Sequence, residues 1–154
     1  KKLQKKNIYL LEKMLNQINQ GKRDWYKNKT FTPVVIKNSS LFEVYDEVQI
    51  NYLTSDNSYS VKSVSGTQFM SYDSCLKKLD VMTEDFNNMI SDGTFYEKDS
   101  YAANFDNSTE ITDVYWEMKS GSIIIQCYDM DSGGELSVAI DTRDFFDFLS
   151  DNPY

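Results

Sequence analysis

Over the first twenty positions the apolar residues recur at helical spacing. Leu3, Ile8, Leu10, Leu11, Met14, Leu15 and Ile18 share one face, with the Lys and Gln residues opposite. Gly21 stands where a helix-ending glycine belongs. This pattern predicts an amphipathic helix packed on a sheet. Val34, Val35 and Ile36 then switch to β-branched chemistry. Val48, Ile50 and Tyr52 alternate with polar neighbours, as do Tyr59 and Val61 beyond a polar turn over 54–58, which predicts a hairpin.

A second helix is expected after Gly66, with Ser71 as its N-cap, Asp73 in its first turn and Gly93 at its end. Tyr72, Cys75, Leu76, Leu79, Met82, Phe86, Met89 and Ile90 share one face of it, so Cys75 points inward. Residues 91–109 are polar and turn-rich without apolar periodicity and read as loop. Three alternating runs follow: Val114, Trp116, Met118; Ile123, Ile125, Cys127; and Leu136, Val138, Ile140. Gly-containing turns separate them, as in an antiparallel meander. Asp141 is placed to cap a short last helix presenting Phe145, Phe148 and Leu149 on one face. The expected architecture is α+β, a single domain over 1–154. In it a long N-terminal helix packs on an antiparallel sheet of about four to six strands, and a second helix, bearing Cys75, is tied to the sheet at Cys127 by a disulfide.

Charge divides this pattern in two. The net charge is −8, yet residues 1–37 hold ten basic and two acidic side chains, a net of +8 that leaves −16 for the rest. Two parts of opposite sign can attract copies of one another, contact an anionic surface, or neutralise each other within one fold. The acidic body excludes nucleic acid as an expected partner, because that binding rests on neutralising phosphates. No apolar run reaches the length needed to span a bilayer. The chain opens at Lys1 already inside a helical pattern, which suggests that something upstream was removed: a signal peptide, a membrane anchor, or only an expression tag.

Catalytic signatures are sparse. The chain has no His, which removes imidazole-based triads, and it carries no phosphate-binding or dinucleotide fingerprint. The expectation is no enzyme, no catalytic residue, no cofactor and no small-molecule substrate. Asp129, Asp131 and Glu135 around Gly133 and Gly134 resemble the opening of a calcium loop. However, Ile140 stands where the bidentate Glu belongs, so they read as an acidic hairpin turn and only weak calcium candidates. The two cysteines, Cys75 and Cys127, are either two buried thiols or a disulfide, and in an exported protein the bond is favoured.

The segment Tyr59 to Met82, YSVKSVSGTQFMSYDSCLKKLDVM, is similar to a stretch of type IV pilins, particularly the type IVb group. There a strand leads through a Ser-rich turn into a helix opening with Cys and Leu. The partner Cys lies in a later strand, as Cys127 does in GSIIIQCYDM. The resemblance implies that the N-terminal helix is the exposed half of a longer one whose hydrophobic first half is a membrane anchor. It implies a minor pilin or pseudopilin, a structural subunit of a type IV pilus or related filament or secretion system, serving adhesion, secretion or DNA uptake. Such a subunit is extracytoplasmic, at the periplasm or cell surface. It assembles with other subunits through a helix bearing Lys1, Lys2, Leu3, Lys5, Lys6, Ile8, Leu11 and Leu15. The alternative is a free-standing periplasmic or secreted binding protein, such as an inhibitor or immunity protein, that uses an acidic face.

Overall fold

The computed structural model describes residues 21–37, 42–55, 58–103 and 108–151. They form seven strands: β1 (Phe31–Lys37), β2 (Glu47–Leu53), β3 (Val61–Met70), β4 (Thr94–Ala102), β5 (Glu110–Met118), β6 (Gly121–Met130) and β7 (Gly133–Thr142). All pair antiparallel in one sheet, in the order β1-β2-β3-β7-β6-β5-β4. Two meanders, β1 to β3 and β4 to β7, meet along the β3–β7 ladder, which aligns Met70 with Gly134 and Ser63 with Asp141.

Helix α1 (Tyr72–Met89) bridges the two meanders in sequence, and helix α2 (Arg143–Asp151) follows β7. Ser71 caps α1 by accepting the Ser74 amide at 3.3 Å, and Asp73 complements the positive end of the helix dipole. The helices lie on opposite faces of the sheet. On β5, Val114 and Trp116 join the core cluster of Cys75 and Leu79 from α1, whereas Tyr115 and Glu117 meet Phe146 and Arg143 of α2. Successive strand residues point to opposite faces, so the two sets of contacts separate the layers.

Beneath α1, Leu79, Ile125 and Leu136 are essentially fully buried, each contributing about 2 kcal/mol of apolar transfer free energy. The Trp116 ring sits between Phe86 and Phe95, at centroid distances of 5.4 and 5.2 Å, and its indole N–H donates to Asn87. Cys75 and Cys127 are joined, with Cα atoms 5.8 Å apart. Beneath α2, Phe145 and Phe148 meet Tyr26 and Phe31 edge to face. The turn from β5 to β6 requires Gly121: at φ 155° a Cβ there would collide with the Asp141 carbonyl oxygen.

This architecture corrects the expected one. The described chain is predominantly β, with seven strands, one helix of 18 residues and one of 9, and is not a long N-terminal helix laid on four to six strands. The stretch 1–20, with Lys1, Lys2, Leu3, Lys5, Lys6, Ile8, Leu11 and Leu15, lies outside the described residues. The extra strand is β4, in the segment expected to be loop. An edge strand exposed along most of its length needs no apolar alternation, and a bulge between Tyr96 and Asp99 breaks the period further. Gly66 does not lead into a helix but lies inside β3, packed against the Tyr45 ring. Asp141 caps nothing: β7 continues through it, because Ser63 and Ser122 pair on either side. Among the described residues no helix is long and apolar enough to cross a membrane.

Candidate functional site

Alternation along β4 to β6 places an unusual set of side chains on the α2 side of the sheet, beside the start of that helix. Tyr96 pairs with Tyr115, Tyr101 with Ile111, and Ile111 with Tyr128, so four tyrosines share one face with Asp113, Glu117 and Gln126. Tyr96 and Tyr101 are exposed, while Tyr115 and Tyr128 are half-buried.

Two units of similar design stand side by side here. In the first, the Tyr96 and Tyr115 rings stack at 4.2 Å and 9°, and the Tyr96 hydroxyl donates to Glu117 Oε2 at 3.1 Å. Arg143 from the start of α2 donates from Nη1 to Glu117 Oε1 at 2.8 Å and from Nη2 to the Met118 carbonyl. Its guanidinium lies over the Phe146 ring, 5.5 Å from the centroid. The hydrogen bonds from Arg143 and then Tyr96 hold the Glu117 carboxyl below its usual range.

In the second unit the Tyr101 hydroxyl donates to Asp113 Oδ2 at 2.7 Å. Gln126 Nε2 donates to the same oxygen at 3.3 Å, and the Tyr128 hydroxyl donates to Gln126 Oε1 at 2.9 Å. Burial first, and then the bond to Asp113, raises the Tyr101 phenol above its ordinary value, so it stays a donor. Farther across the face, burial and the neighbouring Glu47 carboxylate raise Glu135.

The sheet also carries a buried polar row beneath α2. The Tyr26 hydroxyl donates to Asn51 at 3.1 Å, and Asn51 donates to Ser63 at 3.2 Å. In register beyond Ser63 come Asp141 and Ser122. Asp141 Oδ1 and Ser122 Oγ are buried without a hydrogen-bond partner. Burial pushes the Asp141 carboxyl up, opposed only in part by a hydrogen bond from Ser63. The unfolded chain therefore ionises at lower pH than the native one. The cost to stability is absent below the unfolded value near 3.9, grows as pH rises from there, and is complete above the native pKa. Asp141→Asn is expected to stabilise the fold by about 1 kcal/mol at pH 7, an advantage that vanishes by pH 3, as measured by urea unfolding at both values. A destabilised variant at pH 7 would contradict this account.

On the α1 side, a groove of about 380 Å³ has walls of Val61, Val64, Met118, Ile123 and Ile140. The adjoining Ser63, Ser122 and Asp141 turn their side chains to the opposite face by alternation, leaving the groove apolar.

Of the residues singled out in sequence, Cys75 and Cys127 are brought together. Asp129 and Glu135 end adjacent strands, and Asp131 lies in the turn between them. They form no cluster able to hold a metal, and no such group occurs among the described residues. The tyrosine face escaped sequence reasoning. Its signal is the eleven tyrosines, several of which occupy the outward positions of alternating strands, where charged residues usually stand. Comparison with family models, with curated proteins and with solved structures gives no match.

Proposed function

We propose that this chain is an extracytoplasmic binding protein that holds a cationic partner protein against the tyrosine and carboxylate face of β4, β5 and β6. The observation that carries the reading is that face itself: Tyr96, Tyr101, Tyr115 and Tyr128 beside Asp113 and Glu117, clear of both helices except where α2 supplies Arg143 and Phe146. Tyrosine is enriched where proteins dock, because it buries a large rigid ring at small entropic cost and keeps a hydroxyl for hydrogen bonding. The net charge of −8 steers basic partners toward the protein. The Cys75–Cys127 bond supports an oxidising compartment. A filament-subunit role, suggested by the two Cys-bearing segments, keeps that bond as its support, but the long N-terminal helix laid on the sheet that it implied is not the architecture formed by the described residues.

A photo-crosslinking amino acid placed at Tyr101, or at the exposed Val81 on α1, tests the reading in cells of the source organism. A discrete adduct with a net-basic protein is expected from position 101 and none from position 81. Equal labelling from both positions, or no adduct from position 101, would remove the face from consideration.

A further inference from the structure

The two units on the tyrosine face are built to one plan, and among the described residues only the first contains a cation. In each, a β5 carboxylate accepts a hydroxyl from a β4 tyrosine: Glu117 from Tyr96 and Asp113 from Tyr101. Glu117 gives its second oxygen to the Arg143 guanidinium, which lies over an aromatic ring. Asp113 has both its bonds on Oδ2, from the neutral donors Tyr101 and Gln126. Among the described residues it makes no ion pair.

Its neighbours add to the need for positive charge. Asp99 is its register partner on β4, and like charges directly opposite one another repel. Lys98, next to Asp99 on β4, is engaged with Asp80 of α1, and Arg143 with Glu117 and Asp147, while Lys119 lies beyond the far end of β5, six residues from Asp113. The second unit therefore presents a carboxylate oxygen, flanking tyrosines and a second carboxylate, with no cation from among the described residues.

Resting on the binding role proposed above, we infer that the Tyr101–Asp113–Gln126–Tyr128 unit is a receptor for an arginine side chain presented by the partner protein. The occupied unit shows the mode. A planar guanidinium donates in a fork to carboxylate and carbonyl oxygens while its face lies on a ring, and a compact ammonium cannot do both. Arginine docking at Asp113 would supply the missing charge-assisted hydrogen bond and relieve the Asp99–Asp113 repulsion. Recognition of lysine at the same place would be weaker.

Octa-arginine and octa-lysine, of equal formal charge, serve as probes of the intact 154-residue chain. Their binding is followed by calorimetry and by amide chemical shifts. Octa-arginine should bind about tenfold more tightly than octa-lysine, the size of one charge-assisted hydrogen bond, with the largest shifts on β4, β5 and β6. Asp113→Asn should bring the two peptides to within about twofold of each other. Asp85→Asn, which removes an equal charge from the exposed side of α1, should change neither peptide by more than about twofold. Tyr101→Phe keeps the ring but frees the carboxylate, and should cost octa-arginine about threefold. It decides the matter if Asp113→Asn does not fold. Equal binding of both peptides, sensitive to Asp113→Asn, would overturn arginine selectivity and leave the cation-binding face standing. Binding indifferent to both Asp113→Asn and Tyr101→Phe would overturn the receptor and the binding role together.

Discussion

Replacing Cys75 and Cys127 together with alanine is expected to lower the free energy of unfolding by about 4 kcal/mol. The bond spans 52 positions of sequence and encloses most of α1, all of β4 and β5, and most of β6. Cutting it returns to the unfolded chain the freedom of that long loop. Both sulfurs lie at the centre of the α1 core cluster with no exposed surface, so their loss also removes apolar contact with Leu79, Ile125 and Leu136. Urea unfolding of the double variant should show a lower midpoint. It should also show a steeper dependence on denaturant, because an uncrosslinked chain exposes more surface when it unfolds. A loss below about 1 kcal/mol would mean that the helix is held by packing alone.

Phe145→Ala should cost about 3–5 kcal/mol, the range for removing a buried aromatic ring without refilling its space. Phe145 is 2% exposed. It meets Phe31 edge-on at 5.1 Å and Tyr26 at 6.3 Å, and it lies alongside Phe148. These contacts form a cluster separate from the one under α1 and anchor α2 to the sheet. The damage should therefore be uneven. Amide hydrogen exchange should accelerate most in α2 and over β1, with the amides at the β5–β6 interface far less affected. Arg143 begins α2, so its bond to Glu117 loosens with the helix, and the Glu117 carboxyl should lose part of its depression, with its titration midpoint moving upward. Uniform acceleration of exchange across the sheet would show that the two layers unfold as one unit.

The strands most legible in sequence were those with one face buried. In β5, β6 and β7, the residues Val114, Trp116, Ile125, Cys127 and Leu136 all point at α1, and the period of two follows from that. α1 was legible for the same reason, with Cys75 and Leu79 on the inner stripe and Ser71 at the cap. β4 was not, because an edge strand exposed along most of its length has no reason to alternate, and Phe95 is its one hydrophobic packed against the α1 core. The end of β7 was misread because an Asp just before an aromatic run has the local chemistry of a cap. Only the neighbouring strands, with Ser63 and Ser122 on either side, show that Asp141 continues the ladder.

The tyrosine face was hidden for a different reason. Alternation says only that Tyr101, Asp113 and Gln126 point outward. It is the pairing of β4 with β5 and of β5 with β6 that brings them within hydrogen-bond reach, and long-range register is not encoded in any short window of sequence. Glu117 and Arg143 are farther apart still in the chain and meet only because α2 folds back over β6 and β7, with its first residue reaching Glu117 at the end of β5.

The β3–β7 ladder is the one junction whose strands are not sequence neighbours within a meander. During synthesis β1, β2 and β3 can zip together early. The free edge of β3, from Val61 to Met70, must then wait until α1 and the whole second meander have followed before β7 can cover it. For that interval the nascent chain offers ten residues of unpaired backbone to any passing strand, the edge most prone to mispairing and aggregation. Closing such a distant contact is slow because loop entropy is lost before the ladder repays it. The half-made protein is thus the vulnerable species, and a chaperone guarding that edge would matter more to its yield than added stability in the finished sheet.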